Sequence, residues 1–162
     1  MLRQQHEAQR LRHAIEYVSN ATRTLKKLTS SELSRINQII VAGTDTGWRF
    51  QQATIQIPSG KVHKFNLISN PIENARRILG DAYDMSNNND VKDAAIFLYF
   101  QLVEEHLFEN ANRRTAALAA QWLLNEKDIE LDTLELLEIP LGDVREPTER
   151  NELSKRILEL MK

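Results

Sequence analysis

The residues best suited to chemistry lie together, in the stretch His106-Leu107-Phe108-Glu109-Asn110-Ala111-Asn112-Arg113-Arg114-Thr115. It joins two apolar segments, Ala94 to Val103 and Thr115 to Leu124. Polar groups placed where two core helices meet must be hydrogen-bonded or functional, because each one left buried and unpaired costs roughly 1–3 kcal/mol. If the second helix begins near Ala111 or Asn112, its first N–H groups have no partner within the helix. Together with the helix dipole, Arg113 and Arg114, they make a site for an anion such as phosphate. His106 ends the preceding helix and faces that anion across the loop, and an imidazole that titrates near neutrality can take the proton of an incoming hydroxyl. The chemistry these residues describe is phosphoryl or nucleotidyl transfer. Two plainer readings compete with it. A lone histidine at a helix end is ordinarily a cap favoured by the dipole. Glu105, His106 and Glu109 would share a face for a metal only if the helix ran on through the loop.

The elements that must position this loop are read from composition and period. At 162 residues the chain suits one domain with a real core, taken here as residues 1–162. Hydrophobic residues make up 41% of it, while only 5 glycines and 4 prolines interrupt it, which predicts an all-α fold. With 21 basic against 23 acidic side chains, nothing in the charge favours nucleic acid or an anionic membrane as partner. The absence of cysteine excludes disulfides, thiolate zinc sites and a cysteine nucleophile. No apolar run reaches the roughly 18 residues of a membrane span, and the polar start has no leader-like apolar region. The expected location is therefore cytoplasmic, although a signal read by a dedicated secretion system would escape this test.

Leu11, Ala14, Ile15, Val18 and Leu25 have helical spacing within an amphipathic N-terminal helix occupying residues 1–28. Thr29-Ser30-Ser31-Glu32 is a helix-start pattern ahead of Leu33, Ile36, Ile39 and Ile40, and this second helix should stop near Gly43. From residue 53 to 65 the period changes to two around Pro58-Ser59-Gly60, which predicts a β-hairpin. Asn70-Pro71-Ile72-Glu73 supplies a cap, a first-turn proline and an acid, and starts a helix that runs to about Met85. The two apolar segments around the polar loop read as buried helices. Short helices around Leu131 to Leu137 and Pro147 to Met161 complete residues 131–162.

The loop resembles the signature of the Fic family, His-Pro-Phe-x-(Asp/Glu)-Gly-Asn-(Gly/Lys)-Arg-x-x-Arg. It is still closer to the Doc branch, His-x-Phe-x-Asp-Ala-Asn-Lys-Arg-Thr-Ala. The likeness extends over residues 29–130 and includes a Gly-Trp-Arg segment, Gly47 to Arg49, leading into the hairpin. It implies a Fic-type helical bundle whose small hairpin is a flap that docks an extended piece of a target protein by strand pairing, through Thr54, Ile55, Gln56, Val62 and His63. Trp48 and Arg49 read as packing and surface residues as readily as functional ones.

Carried over to this chain, the resemblance makes His106 the general base and Phe108 the apolar anchor of the loop. Asn110, Ala111, Asn112, Arg113 and Arg114 become the nucleotide and phosphate site, with Asn112 near the α-phosphate and Arg114 neutralising charge. The implied substrate is ATP or another nucleoside triphosphate with Mg, and the implied partners are a target protein and an antitoxin or inhibitory protein, in a bacterial setting. Four positions depart from the pattern: Leu107 for proline, Ala111 for glycine, Asn110 for the magnesium-binding carboxylate and Ala117 for the second arginine. An amide is a weak ligand for a hard cation, so Asn110 predicts weak metal binding. Arg113 is left as the nearby substitute, at the place where Doc has lysine, and the resemblance implies that a basic side chain there favours the inverted nucleotide pose that gives phosphorylation instead of AMP transfer. The leading reading is AMP transfer to a protein hydroxyl; the alternatives are a Doc-like kinase toxin and a weak or inactive relative that acts by binding. Ser69 to Asn74 matches the family's inhibitory pattern letter for letter and Thr148 to Glu152 matches it in part. Asn70 and Pro71 are already explained as a helix start, and the arginine that an inhibitory glutamate would pair with is Ala117.

Overall fold

The computed structural model describes residues 2–42, 47–50, 54–56, 60–64 and 70–162, with 2, 54–56 and 63 described in their backbone alone. Among these residues seven helices run α1 (Leu2–Arg23), α2 (Ser30–Val41), α3 (Pro71–Asn87), α4 (Val91–Glu105), α5 (Asn112–Asn125), α6 (Thr133–Glu138) and α7 (Pro147–Glu159). Two short strands, β1 (Thr54–Gln56) and β2 (Val62–Lys64), pair antiparallel with Ile55 opposite His63. The fold is all-α with one hairpin, as the residue pattern predicts.

Helices α4 and α5 form the centre of the bundle, with α3 against α4, α1 and α2 against α5, and α6 beside α5. The reason lies in their residues. Ala94, Leu98, Tyr99 and Phe100 of α4 and Ala116 to Leu124 of α5 are buried on nearly every side, which suits helices enclosed by neighbours. Local signals set several starts. The Thr29 side chain accepts the Glu32 N–H at the start of α2, and the Asn70 side chain accepts the Glu73 N–H ahead of Pro71. The cap and proline account of Asn70 to Glu73 is thus the one the structure carries; Ser69 lies outside the described residues.

One expectation fails. Leu25 is not part of the apolar face of α1, which ends at Arg23; Leu25 has φ 61 and is 87% exposed. The next turn of helix is replaced by a link that returns the chain to the core at Leu28, whose N–H donates to the Tyr83 hydroxyl at 2.7 Å. Trp122, wholly buried, donates its indole N–H to the Lys26 carbonyl in the same link. Satisfying these buried polar groups outweighs one more turn of α1. Of the hairpin expected over residues 53–65, the strands of 54–56 and 62–64 are present, while 53, 57–59 and 65 lie outside the described residues, as does Gly43. No helix among the described residues is long and apolar enough to cross a membrane.

Candidate functional site

The loop between α4 and α5 is bounded by two residues in the left-handed region. His106, at φ 51 and ψ 59, caps the C-terminus of α4, its N–H donating to the Leu102 carbonyl at 3.2 Å. Ala111, at φ 60 and ψ 31, precedes α5. The two left-handed turns reverse the chain, which lets the end of one core helix face the start of the next. His106 is therefore a helix cap as well as a side chain at the loop, and capping alone does not account for what surrounds it.

The loop is braced from three sides. From within, Asn112 spans it: its side-chain oxygen accepts the Phe108 N–H at 2.9 Å and its side-chain N–H donates to the Phe108 carbonyl at 2.8 Å. Phe108 itself is buried and stacks on Trp48, with ring centroids 4.5 Å apart and planes 23° apart. From one flank, residues 47–49 lie antiparallel to 107–109. The Arg49 N–H donates to the Leu107 carbonyl at 2.7 Å and the Glu109 N–H to the Gly47 carbonyl at 3.1 Å, and Gly47 has φ 119, which side-chain-bearing residues rarely adopt. From below, the α2 residue Asn37 donates to the Asn110 carbonyl at 2.8 Å and to the Thr115 hydroxyl at 3.2 Å. Asn37 was not marked by any sequence signal, because its spacing merely places it on the inner face of α2.

A cavity of about 320 Å³ opens at this loop, lined by Val103, His106, Glu109, Asn110, Ala111, Asn112, Arg113 and Arg114. At its floor is the start of α5. The first helical bond is from the Thr115 N–H to the Ala111 carbonyl, and among the described residues no side chain caps the N–H groups of Asn112, Arg113 and Arg114 ahead of it. A helix start of this kind favours an anion.

The two arginines differ. The Arg113 guanidinium turns away, donating to the Tyr99 hydroxyl at 3.1 Å, to the Leu136 carbonyl at 3.1 Å and to the Ile139 carbonyl, so it ties α5 to the end of α6. Arg114 is half-buried and donates no hydrogen bond among the described residues. Burial pulls its guanidinium below the ordinary arginine range; Glu7 of α1 opposes that shift and Arg10 adds to it. Of the polar side chains expected to hold phosphate, Asn112 and Arg113 thus have partners inside the protein. Among the described residues, the groups left to an anion are Arg114, the exposed Asn110 amide and the main-chain N–H groups of α5. Ala117, where the motif has its second arginine, is wholly enclosed in the core.

Arg49, which the sequence left open between a packing or surface residue and a functional one, is 2% exposed, and its guanidinium donates to the Glu105 carbonyl at 3.1 Å and the His106 carbonyl at 2.5 Å. Burial lowers its pKa, and the nearby carboxylates of Glu109 and Glu105 raise it again.

The Fic/DOC family model matches residues 27–124, from the link before α2 to the last turn of α5. The chain belongs to the Fic/DOC family. Solved Fic structures share its fold. A Fic domain containing signaling protein from Bacteroides thetaiotaomicron VPI-5482 is 18% identical with a TM-score of 0.70, over 99% of this chain and 66% of that one. The N-terminal Fic domain of a cell filamentation protein (VirB-translocated Bep effector protein) from Bartonella quintana is 15% identical with a TM-score of 0.62, over 97% of this chain and 83% of that one. The chain spans 66% of the length of the Bacteroides protein. No curated protein matches it.

Within this Fic domain the motif runs from the cap of α4 to the first turn of α5. The family implies magnesium on the nucleotide, and the donors here suit it poorly. Asn110 offers a neutral amide, Glu109 is the one carboxylate lining the cavity, and no cluster of three metal-ligating side chains occurs among the described residues. These residues do not by themselves build a magnesium site. The hairpin begins five residues after Arg49, with the backbones of Thr54, Ile55, Gln56, Val62 and His63 in its two strands.

Proposed function

We propose that this chain transfers AMP from ATP to a Ser, Thr or Tyr hydroxyl of a target protein. Fic/DOC proteins generally transfer nucleotide-derived groups to proteins; the reading narrows this to the α-phosphate and to a cytoplasmic reaction. The observation that carries it is the uncapped start of α5, with Arg114, opening into the same cavity as His106. The target hydroxyl would lose its proton to the His106 imidazole as its oxygen attacks the α-phosphorus. The bond to the bridging oxygen would break and pyrophosphate would leave. The α5 N–H groups and Arg114 would receive the charge that develops on the phosphate oxygens. A target segment would pair with a flap edge, and an antitoxin or inhibitory protein would act by covering the same surface.

A Doc-like kinase reaction would place the γ-phosphate at the attacked position. Arg113, where Doc has lysine, is its support in the residue pattern, and the bonds of that guanidinium to the Tyr99 hydroxyl and the Leu136 carbonyl weaken the support. A slow or inactive relative is favoured by one observation, the amide at Asn110. Incubating the protein with lysate and ATP labelled at the α- or γ-phosphate separates the readings. Label from α alone in protein supports AMP transfer, label from γ supports a kinase, and neither supports a binding role.

Two variants sharpen the test. Arg114→Ala is expected to weaken ATP binding about 10-fold or more, since a hydrogen bond to a charged group is worth roughly 1.5–3 kcal/mol, and calorimetry with ATP measures this. Unchanged affinity would remove Arg114 from the phosphate site. Asn110→Asp is expected to raise the transfer rate at limiting magnesium, because a carboxylate adds the charge an amide lacks. A magnesium titration of both proteins checks this, and identical curves would show that residue 110 does not govern the metal.

A further inference from the structure

Three successive carbonyls at the end of α4 and the start of the loop are taken by one residue that lies more than fifty positions earlier in the chain. Arg49 donates from its guanidinium to Glu105 and His106, and from its main-chain N–H to Leu107. These carbonyls are at the end of a core helix, where no helical N–H remains to meet them, and the partial negative charge of the helix dipole gathers there. A buried guanidinium answers both needs. Its rigid planar fork also fixes the direction of each carbonyl it binds, more closely than the rotating N–H groups of an ammonium would.

The consequence falls on His106. The left-handed turn at φ 51 is unfavourable for an L-residue and persists only if the surroundings enforce it. Here the enforcement comes from the His106 N–H bond to Leu102 before the turn and from the Arg49 bonds at and after it. Because the imidazole hangs from the Cα of this turn, the groups that hold the backbone set the direction in which its Cα–Cβ bond leaves the loop.

We propose that Arg49 is a positioning residue for the transfer reaction, holding the left-handed turn at His106 so that the imidazole points at the incoming hydroxyl. This rests on the reading of His106 as the general base. Arg49 is enclosed and is not among the residues that line the cavity, so its removal should alter turnover and spare nucleotide binding at the start of α5.

The test uses the full chain and Arg49→Lys, which keeps the charge and loses the fork, with Arg49→Met as a neutral variant of similar length. With α-labelled ATP and lysate protein as acceptor, kcat for the Lys variant is expected to fall about 10- to 100-fold, the size of effect produced by misaligning a catalytic group by an ångström, while KM for ATP changes less than about 3-fold. The imidazole ¹H–¹⁵N signals of His106, assigned by their loss in His106→Ala, should shift or broaden in the Lys variant while the main-chain spectrum stays folded. An unchanged kcat with an unchanged imidazole signal overturns the proposal. So does a fall in kcat and a rise in KM by the same factor, which would mark general damage to the fold. If the native protein shows no His106-dependent transfer, the transfer reading fails. The imidazole signal then decides the role of Arg49 by itself, a shift supporting it and an unmoved signal overturning it.

Discussion

His106→Ala is expected to lower the rate of transfer by about 10²–10⁴-fold, the usual contribution of a positioned general base, while leaving ATP affinity near that of the native protein. The separation follows from the architecture. The imidazole belongs to the end of α4, whereas the groups that would bind phosphate belong to the start of α5 and to Arg114, so removing the ring leaves the anion site intact. A control is needed for the left-handed turn, which alanine tolerates poorly. His106→Gly lacks the ring but accepts φ 51 without strain, and should be as inactive as the alanine variant and more stable. Measured with α-labelled ATP, transfer by either variant at the native rate would eliminate His106 as the base. Loss of ATP binding along with activity would mean that the ring contributes to the nucleotide site.

The second large effect concerns Asn112, whose amide holds both main-chain groups of Phe108. Asn112→Ala leaves a buried N–H and a buried carbonyl without partners. At roughly 1–3 kcal/mol each, less what water entering the space recovers, the loss is about 2–4 kcal/mol. For a domain of this size each kcal/mol lowers the melting midpoint by about 2–4 °C, so calorimetry should record a fall of about 4–16 °C. Asn112→Asp keeps the oxygen that accepts the Phe108 N–H and gives up the donor. Its fall should be smaller, and the negative charge at the start of α5, though welcome to the helix dipole, should compete with phosphate. The two variants should therefore rank in opposite order, alanine worse for stability and aspartate worse for ATP binding. If alanine costs less than about 1 kcal/mol, the Asn112 clamp is not what holds the loop; if the aspartate variant binds ATP as well as native, the anion is not seated at the first turn of α5.

The sequence by itself determined the local features, because their causes are local. A cap, a proline and an acid within four residues specify where α3 begins whatever surrounds them, and the same holds for Thr29 and α2. Apolar residues on every face of Ala94 to Val103 and Thr115 to Leu124 made two central helices unavoidable, and with them a polar loop that had to be explained. The family motif within that loop added the expected chemistry.

Only the tertiary structure decided which polar group meets which. Asn37 and Arg49 reach the loop from far along the chain, and periodicity can say that a residue faces inward without saying what lies opposite. The same limit applies inside the motif. Arg113 and Arg114 are neighbours of like charge, yet a step of about 100° around α5 sends the first to Tyr99 and the carbonyls of α6 and leaves the second beside the cavity. Leu25 met the spacing of an apolar stripe and lies outside it, because Lys26 and Leu28 supply the main-chain partners that Trp122 and Tyr83 require. Spacing along one helix fixes the face of a side chain; the hydrogen-bond partner is fixed by the packing of helices against each other, since each buried polar group must be met by whatever the neighbouring element presents.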